Sequence, residues 1–256
     1  MSQYLFGAGN MYVTPLIDAN GAAIANPNSY PLLVLQEGAL SDTSDLKELY
    51  GQGQRASAIA RGKTKTTLKV KNARVLAAVW NSIYFGQTLT SPSLLAGFTD
   101  VTGTAVPTTP FQITPTPPSA GTWLADQGVI SGATGNPLTR VASAPATGQY
   151  SVAAGLYTFA AADTGLTMYI NFQYSSTTAG IGSKQTVRNL PMGYAPTFRA
   201  RLTVIFQGKI MHLDCRSCVC TKFSLPFKNE DFAVPELDFT LQDDGAGNVF
   251  DWSTSE

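Results

Sequence analysis

The sequence predicts a mainly β protein with a single helix. Glycine (23) and proline (15) recur throughout the 256 residues. The segments between them carry Thr, Val, Tyr and Phe at alternating positions, a composition typical of short strands joined by turns. Hydrophobic residues make up 44% and charged residues 13% of the chain, which argues against a chain kept disordered by its charges. The length suits one large β domain or two small ones.

The predicted strands follow one another along the chain. Residues 4–16 alternate in hydrophobicity and predict an N-terminal strand or arm, after which Asp-Ala-Asn-Gly forms a turn. Residues 31–40 are an apolar run of strand length, which predicts a buried strand. Residues 150–159 and 168–174 flank a turn-forming segment and predict a hairpin. Further strands are predicted at residues 196–210, 215–223 and 236–241.

Residues 41–62 lie between two predicted strands and are predicted to form a long loop. The segment contains three glycines and charges of both signs. Loops longer than about 12 to 15 residues without structure of their own are usually functional or disordered. Two interpretations stay open, a solvated surface loop or an arm that becomes ordered against a partner.

Residues 63–71 predict a strand with one charged face, and a helix is predicted directly after it. The alternation places lysines on one face and Leu68 and Val70 on the other. The lysines are Lys63, Lys65, Lys69 and Lys71. The helix is predicted over residues 72–86, with Asn72 as its N-cap and Gly86 at its C-terminal cap. We expect this helix to cover one face of a sheet.

Two further segments stand out by composition. Residues 88–149 are rich in Thr, Pro, Gly and Ala, which favours short edge strands and loops over a regular core. Residues 243–256 form an acidic, turn-rich C-terminal tail. No repeat with a period of 20 to 50 residues is visible in the sequence.

The charges are balanced overall but unevenly distributed. With 17 basic and 17 acidic residues, the chain has no global field that would hold nucleic acid or an anionic membrane, and self-association meets little repulsion. Residues 55–74 contain seven basic residues and no acid, whereas eight acids and no base follow from Glu230 onward. Pairing within the chain, phosphate binding and head-to-tail contact between copies are all open. Phosphate binding ranks last, because the domain is not basic overall.

Catalytic and metal-binding patterns are weak. His212, Cys215, Cys218 and Cys220 form H-x2-C-x2-C-x-C, but this spacing lacks the separated ligand pairs of a usual zinc site, and buried thiols are the alternative. A single histidine and the absence of a G-x-S-x-G sequence argue against a hydrolase of the Ser-His-Asp type. No phosphate-binding loop is present. We therefore expect neither an enzyme nor a bound cofactor or metal.

Cellular location is constrained by what the sequence contains. Three clustered cysteines do not resemble a disulfide framework, which favours synthesis in a reducing cytoplasm. The first residues lack the charged and apolar regions of a signal peptide, and no run of about 18 apolar residues occurs. We expect no membrane association.

Four segments together resemble the tail tube (major tail) proteins of long-tailed bacteriophages. They are YLFGAGNMYVTPL, DLKELYGQGQ followed by ARGK, YSVAAGLYTFAAADTG, and LPFKNEDFAVPELDF, spread from about residue 4 to residue 248. The resemblance implies one tail-tube domain over residues 1–256, a β-sandwich or half-barrel with one flanking helix. Residues 91–136 match least and are interpreted as a decoration. Six copies would form a ring that completes a β-barrel, and the rings would stack head to tail.

The resemblance also implies a function and partners. The protein would be a virion component of the tail, made in the host cytoplasm, and its tube would carry the genome from capsid to host without sequence-specific binding of DNA. Its partners would be copies of itself and tail proteins such as the tape measure, the tail terminator and the tail tip. Another phage virion component, such as a decoration or a minor β-sandwich binding module, is the alternative, and a cell-surface adhesin is a third class.

The long loop and the uneven charges give the candidate contacts between subunits and between rings. In this scheme residues 41–62 would be an arm that reaches the adjacent ring, and the acidic tail would meet its basic end. The candidates are Asp42, Asp45, Lys47, Glu48, Tyr50, Arg55, Arg61, Lys63, Lys65, Lys69, Lys71, Glu230, Asp231, Asp243 and Asp244. Unpaired lysine or arginine side chains in the lumen of the tube would bind the DNA phosphates and retain the DNA. We therefore expect the four lysines of residues 63–71 to pair mostly with acids at subunit contacts.

Overall fold

The computed structural model describes residues 4–74, 76–193 and 195–255. Strands take up 51% and helices 5% of the chain, so the prediction of a mainly β protein is confirmed. The chain divides into two compact units, one comprising Met1–Thr88 and Thr186–Glu256 and the other Leu89–Gln185. The sequence-based prediction of one domain over residues 1–256 did not include this division.

In the described chain, strands of 16 or 17 residues occur only in the first unit, and strands of two residues only in the second. The strands are β1 (Asn10–Ile17), β2 (Tyr30–Leu32), β3 (Leu35–Tyr50), β4 (Ala56–Asn72), β5 (Leu89–Thr90), β6 (Leu94–Phe98), β7 (Thr104–Ala105), β8 (Gln112–Ile113), β9 (Thr122–Ser131), β10 (Thr139–Arg140), β11 (Gln149–Ala153), β12 (Leu156–Phe159), β13 (Thr167–Ser176), β14 (Lys184–Gln185), β15 (Thr197–Phe206), β16 (Lys209–Ser224), β17 (Glu236–Gln242) and β18 (Phe250–Thr254). The helical segments are α1 (Ala77–Trp80), a π-helical turn (Asn81–Phe85) and a 3-10 turn (Ala161–Asp163).

One antiparallel sheet forms the first unit. Its strand order is β2-β1-β15-β16-β17-β4-β3, and β18 pairs with β16 beside β17. Alternate side chains from these strands, such as Met11, Leu68 and Phe239, pack into a single apolar core. The sheet is strongly curved: a Cβ atom on Gly38 of β3 would lie 3.7 Å from Leu202 of β15, although three strands of the order separate β15 from β3.

The N-terminal part of the chain differs from the prediction in one strand. The N-terminal strand is confirmed as β1. The predicted continuous buried strand over residues 31–40 is wrong, because exposed Leu33 and Val34 separate β2 from β3. The chain turns a corner at this point. Only Leu32 and Leu35 of the apolar run are buried in the core.

The predicted helix is present but shorter than residues 72–86. Asn72 is the last residue of β4, and its side-chain amide donates to the carbonyl of Arg74, so it is not the N-cap. Val79 and Ile83 of the helical segment are buried in the core of the first unit. Gly86 ends the segment with φ 61°, and its N–H donates to the Asn81 carbonyl, which confirms the predicted C-terminal cap. Val75 lies outside the described residues.

The second unit contains two four-stranded sheets around a core of its own. One sheet has the order β6-β13-β7 with β9 also paired to β13, and the other has the order β10-β11-β12-β8. Residues from both, including Val129, Tyr157 and Phe172, share one apolar core. At the chain ends of the unit, β5 pairs with β14, with Leu89 opposite Gln185. The entry and exit of the unit are therefore adjacent.

The predicted hairpin of residues 150–159 with 168–174 is wrong. Within residues 150–159, β11 and β12 already form a hairpin closed by Ala154 and Gly155, both at positive φ, as a type I′ turn requires. Residues 168–174 belong to β13, which pairs with β6, β7 and β9 in the other sheet. The intervening segment, which contains buried Asp163, therefore connects two sheets rather than two paired strands.

Candidate assembly surface

Residues 41–66 form a two-stranded ribbon that extends beyond the sheet of the first unit. β17 pairs with β4 only from Thr67 to Lys71. The preceding part of β4 pairs only with β3, and β3 pairs with no other strand in the described chain. We call residues 41–66 the ribbon. The predicted loop over residues 41–62 is therefore wrong, because nearly all of this segment is strand and only residues 51–55 form a connecting tip.

The ribbon exposes large apolar side chains on both faces. Leu46, Leu49, Tyr50 and Ile59 are 57–66% exposed. The register pairs Leu46 with Arg61 and Glu48 with Ile59, so Leu46 and Ile59 share a face, while Leu49 lies on the opposite face beside Ala58. An isolated two-stranded hairpin is only marginally stable in water. Its free edges can also pair with further strands.

Polar contacts across the two strands hold the base of the ribbon. Thr66 Oγ1 donates to Asp42 Oδ1 at 2.6 Å, and the Ser44 and Thr64 hydroxyls lie 2.9 Å apart. Nearer the tip, the Tyr50 hydroxyl donates to the Glu48 carboxylate. That hydrogen bond raises the pKa of Tyr50, which keeps the phenol protonated. The candidates Asp42, Glu48 and Tyr50 therefore have defined contacts within the ribbon.

The ribbon gathers most of the predicted contact residues. It contains Asp42, Asp45, Lys47, Glu48, Tyr50, Arg55, Arg61, Lys63 and Lys65. Five of its charged residues are basic and three are acidic. None of these eight charged side chains makes an ion pair with another described residue. The ribbon thus combines exposed apolar side chains with a small excess of positive charge.

Lys69 and Lys71 lie in the part of β4 that belongs to the sheet. Lys71 Nζ lies 2.6 Å from Glu37 of β3 and 3.7 Å from Glu236 of β17, and the hydrogen bond to Glu37 raises the pKa of Lys71. Lys69 is opposite Asp238 of β17 in the register. The prediction that these lysines pair mainly between subunits is wrong for Lys71, which pairs within its own chain. It stays a prediction for the other three.

A second group of paired charges lies on β15, β16 and β18, and the sequence analysis missed it. Arg199 donates from Nε to Asp214 at 2.7 Å, and Arg201 Nε lies 3.6 Å from the same carboxylate. Arg216 pairs with Asp251. Burial opposes ionisation of Asp214, but the hydrogen bonds and charge of Arg199 outweigh it and lower the pKa of Asp214. The sequence signal was Arg-x-Arg on one strand with Asp-x-Arg on the next.

Glu230 and Asp231 lie in the connection between β16 and β17, which we call the Phe loop (residues 225–235). Asp231 accepts a hydrogen bond from Lys228 Nζ at 3.3 Å. The prominent residues here were not predicted: Phe227 is 84% and Phe232 88% exposed. Both belong to the LPFKNEDFAVP segment used for the family resemblance, but only the structure reveals that their rings are exposed.

Asp243 and Asp244 stabilise a turn rather than a free tail. Asp244 Oδ1 accepts hydrogen bonds from the backbone N–H groups of Ala246 at 2.9 Å and Asn248 at 3.1 Å. These bonds, with that of Ala246 first, lower the pKa of Asp244. The chain then enters β18, which pairs with β16. The predicted acidic tail over residues 243–256 is therefore largely a structured turn and a strand.

The cysteine cluster is part of the core. Cys215, Cys218 and Cys220 are buried, and a bulge between Cys215 and Cys218 places all three toward the same core. A regular strand would have placed Cys215 on the opposite face. His212 Nδ1 instead lies 2.9 Å from the Thr203 hydroxyl. Among the described residues, no group of three His, Cys, Asp or Glu side chains is arranged to hold a metal ion.

Comparisons with known proteins give no function for the assembly surface, which is therefore interpreted from its geometry. None of the helical segments in the described ranges is long and apolar enough to cross a membrane. Comparison with protein-family models and with curated proteins finds no match for this chain.

Proposed function

We propose that this protein is a structural virion protein that assembles into stacked hexameric rings and forms the tail tube of a long-tailed bacteriophage. Its task would be passive, to provide a conduit for the genome from capsid to host. The observation that carries the proposal is the ribbon, a long two-stranded hairpin exposed on both faces and unpaired at its edges. The resemblance of the four sequence segments gives the proposal its particular form.

The ribbon supports self-assembly for an energetic reason. Burying apolar surface is worth about 25 cal/mol per Å², and Leu46, Leu49 and Ile59 of the ribbon are each more than half exposed. Contact with a second copy would cover Leu46, Leu49 and Ile59, and strand pairing would satisfy the open edges. A contact between two different surfaces, repeated without closure, builds a filament.

Charge pairing on the sheet supports the role of conduit. DNA binds a surface by neutralising its phosphates with free lysine and arginine side chains. In the first unit, Arg199, Arg216 and Lys71 each face an acid of the same chain. A wall of such paired charges would offer a sliding duplex little net attraction.

The test is assembly of the purified full-length chain. We expect negative-stain electron microscopy and sedimentation velocity to show rings, or tubes with an axial hole wide enough for duplex DNA, as the concentration is raised. The variants Leu46→Asp and Ile59→Asp should fail to form tubes, because they place charge in the contact between copies. A wild-type chain that remains monomeric at its highest soluble concentration would contradict the proposal.

A matched control separates assembly from stability. Val101 is exposed and belongs to the second unit, so Val101→Asp introduces the same charge at a residue that is not part of the ribbon and should assemble as the wild type does. All three variants should keep their free energy of unfolding within about 0.5 kcal/mol, as surface substitutions usually do. Ribbon variants that assembled normally would also contradict the proposal.

The second candidate function is a decoration or binding module of a virion, and the second unit favours it. Residues 89–185 contain only five charged residues, Asp100, Asp126, Arg140, Asp163 and Lys184. Asp126 accepts hydrogen bonds from the Tyr150 and Tyr157 hydroxyls at 2.7 and 3.1 Å and lies 3.7 Å from Arg140. The surface of this unit is thus nearly uncharged. Binding of the monomer to capsids, without rings or tubes, would favour this function.

A further inference from the structure

The Phe loop exposes two aromatic rings at one end of the sheet of the first unit. Phe227 and Phe232 are the two most exposed phenylalanines of the described chain. The loop joins Ser224 to Glu236, which are opposite each other in the register of β16 and β17. The carbonyl of Pro235 accepts a hydrogen bond from the N–H of Asn72 at 3.2 Å. The loop therefore emerges where β4 ends.

The ribbon extends from the opposite end of the same strand. Leu49 is opposite Ala58 near the start of β4, and Glu236 is opposite Lys71 near its end. At about 3.3 Å per residue, the thirteen steps from Ala58 to Lys71 span about 40 Å. Phe232 is only four residues from Glu236, a reach of at most about 14 Å. The ribbon tip and the Phe loop of one chain thus cannot meet.

The two surfaces are complementary in character. The ribbon carries exposed leucine, isoleucine and tyrosine side chains and more basic than acidic residues. The Phe loop carries two exposed rings together with Glu230, Asp231 and a single base, Lys228. Each aromatic side chain can bury about 150–250 Å². The opposite net charges of the ribbon and the Phe loop would also steer these two surfaces toward each other.

We propose that the Phe loop is the docking site for the ribbon of a second copy of this chain. The inference rests on the proposed function and deepens it by naming both surfaces of the head-to-tail contact. Because the two surfaces differ and lie at opposite ends of the strand direction, a pair of copies still has one free ribbon and one free Phe loop, so the contact propagates. Phe227 and Phe232 insert between the apolar side chains of the incoming ribbon, and Glu230 faces its basic residues.

Paired cysteines test this contact. The double variant Leu49→Cys/Phe232→Cys is oxidised at assembling concentration and analysed on a non-reducing gel. A disulfide needs Cα atoms less than about 7 Å apart, so the two new cysteines of one chain cannot pair. We expect a ladder of dimers, trimers and larger species. An equimolar mixture of the two single variants should stop at dimers, and Leu49→Cys/Met192→Cys, with a fully exposed control position, should give no ladder.

A second variant keeps the two proposals distinguishable. Phe227→Ser/Phe232→Ser should still form rings but lose their stacking into tubes, while Met192→Ser should stack as the wild type does. If tubes form and the double-cysteine variant gives no ladder, or if the serine variant stacks normally, the Phe loop is not the docking site and the proposed function stands. If the wild-type chain forms no rings or tubes, both proposals fail.

Discussion

Asp214 is the residue on which the charges of β15 and β16 converge. Its carboxylate is only 13% exposed and is held by Arg199, with Arg201 nearby. Hydrogen bonds to charged groups contribute about 1.5–3 kcal/mol each, and partial exposure of the arginines reduces that figure through solvent screening. Asp251 holds Arg216 in a similar way, but its carboxylate is 55% exposed. The two pairs therefore differ mainly in burial.

Asp214→Asn should destabilise the first unit more than Asp251→Asn does. We expect a loss of about 1–2 kcal/mol for Asp214→Asn, because Arg199 loses a charged acceptor in a largely buried position. Asp251→Asn should cost about 0–1 kcal/mol, as exposed pairs do. Urea unfolding of both variants and the wild type measures the difference. Equal losses would contradict the role assigned to burial.

The contribution of Asp214 should also depend on pH. Its pKa in the folded protein lies below the ordinary 3.8, so folding is favoured by its ionisation at all pH values above that ordinary value. The contribution is lost as the pH falls through the folded pKa. The stability gap between wild type and Asp214→Asn should therefore be constant from pH 7 to about pH 5 and narrow below about pH 4. A gap that widened on acidification would contradict this sign.

The three cysteines should be unreactive in the native protein. Burial raises the pKa of Cys220 to about 12, and a hydrogen bond with Cys215 together with burial raises the pKa of Cys218. Thiolate is the reactive form, so a thiol reagent at pH 8 should modify almost no cysteine before unfolding and three per chain in denaturant. Rapid labelling of the native chain would show that the bulge in β16 opens readily.

At the scale of single elements, local sequence patterns predicted the faces of strands and the end of the helix well, but they predicted poorly which strands pair with each other. The lysine face of residues 63–71 and the cap at Gly86 were predicted because strand alternation and left-handed backbone depend on a few neighbouring residues. The ribbon was missed because its charges and glycines resemble a loop, whereas strand pairing with a segment some twenty residues away decides its form. Exposure of Phe227 depends on the absence of neighbours, which no local pattern contains.

Gly86→Ala should destabilise the helical segment strongly. Gly86 has φ 61°, and a Cβ atom there would lie 2.5 Å from Ala19 Cβ and 2.6 Å from Pro196 Cγ. Backbone strain and overpacking each cost about 1–3 kcal/mol, so we expect a loss of about 2–4 kcal/mol by urea unfolding. Gly53→Ala in the ribbon tip, where no atom lies within 4 Å, is the matched control and should be nearly neutral. Similar losses in both variants would contradict the packing argument.

At the scale of the whole molecule, a low-charge second unit is inserted into a β protein with a projecting ribbon. The sequence indicated the insertion only as a change of composition, because Thr and Pro enrichment reveals neither where an independent core begins nor where it ends. The structure gives both limits: the chain enters at Leu89 and leaves at Gln185, residues paired with each other in β5 and β14. Just outside them, Gln87 and Arg188 exchange two hydrogen bonds at 2.9 and 3.1 Å.

Replacement of Leu89–Gln185 by a flexible linker of about four Gly and Ser residues should leave the first unit folded. Adjacent antiparallel strands lie about 4.7–4.9 Å apart, so such a linker spans the gap without strain, and the Gln87–Arg188 bonds remain to hold the junction. The shortened chain should unfold cooperatively and, because it retains the ribbon and the Phe loop, should still form rings and tubes. Cutting instead at residues 91 and 136, the limits suggested by composition, would remove β6 and β9 but leave β13 without its partners, and that variant should aggregate. If the first deletion also aggregated, the second unit would be an integral part of the fold and not an insertion.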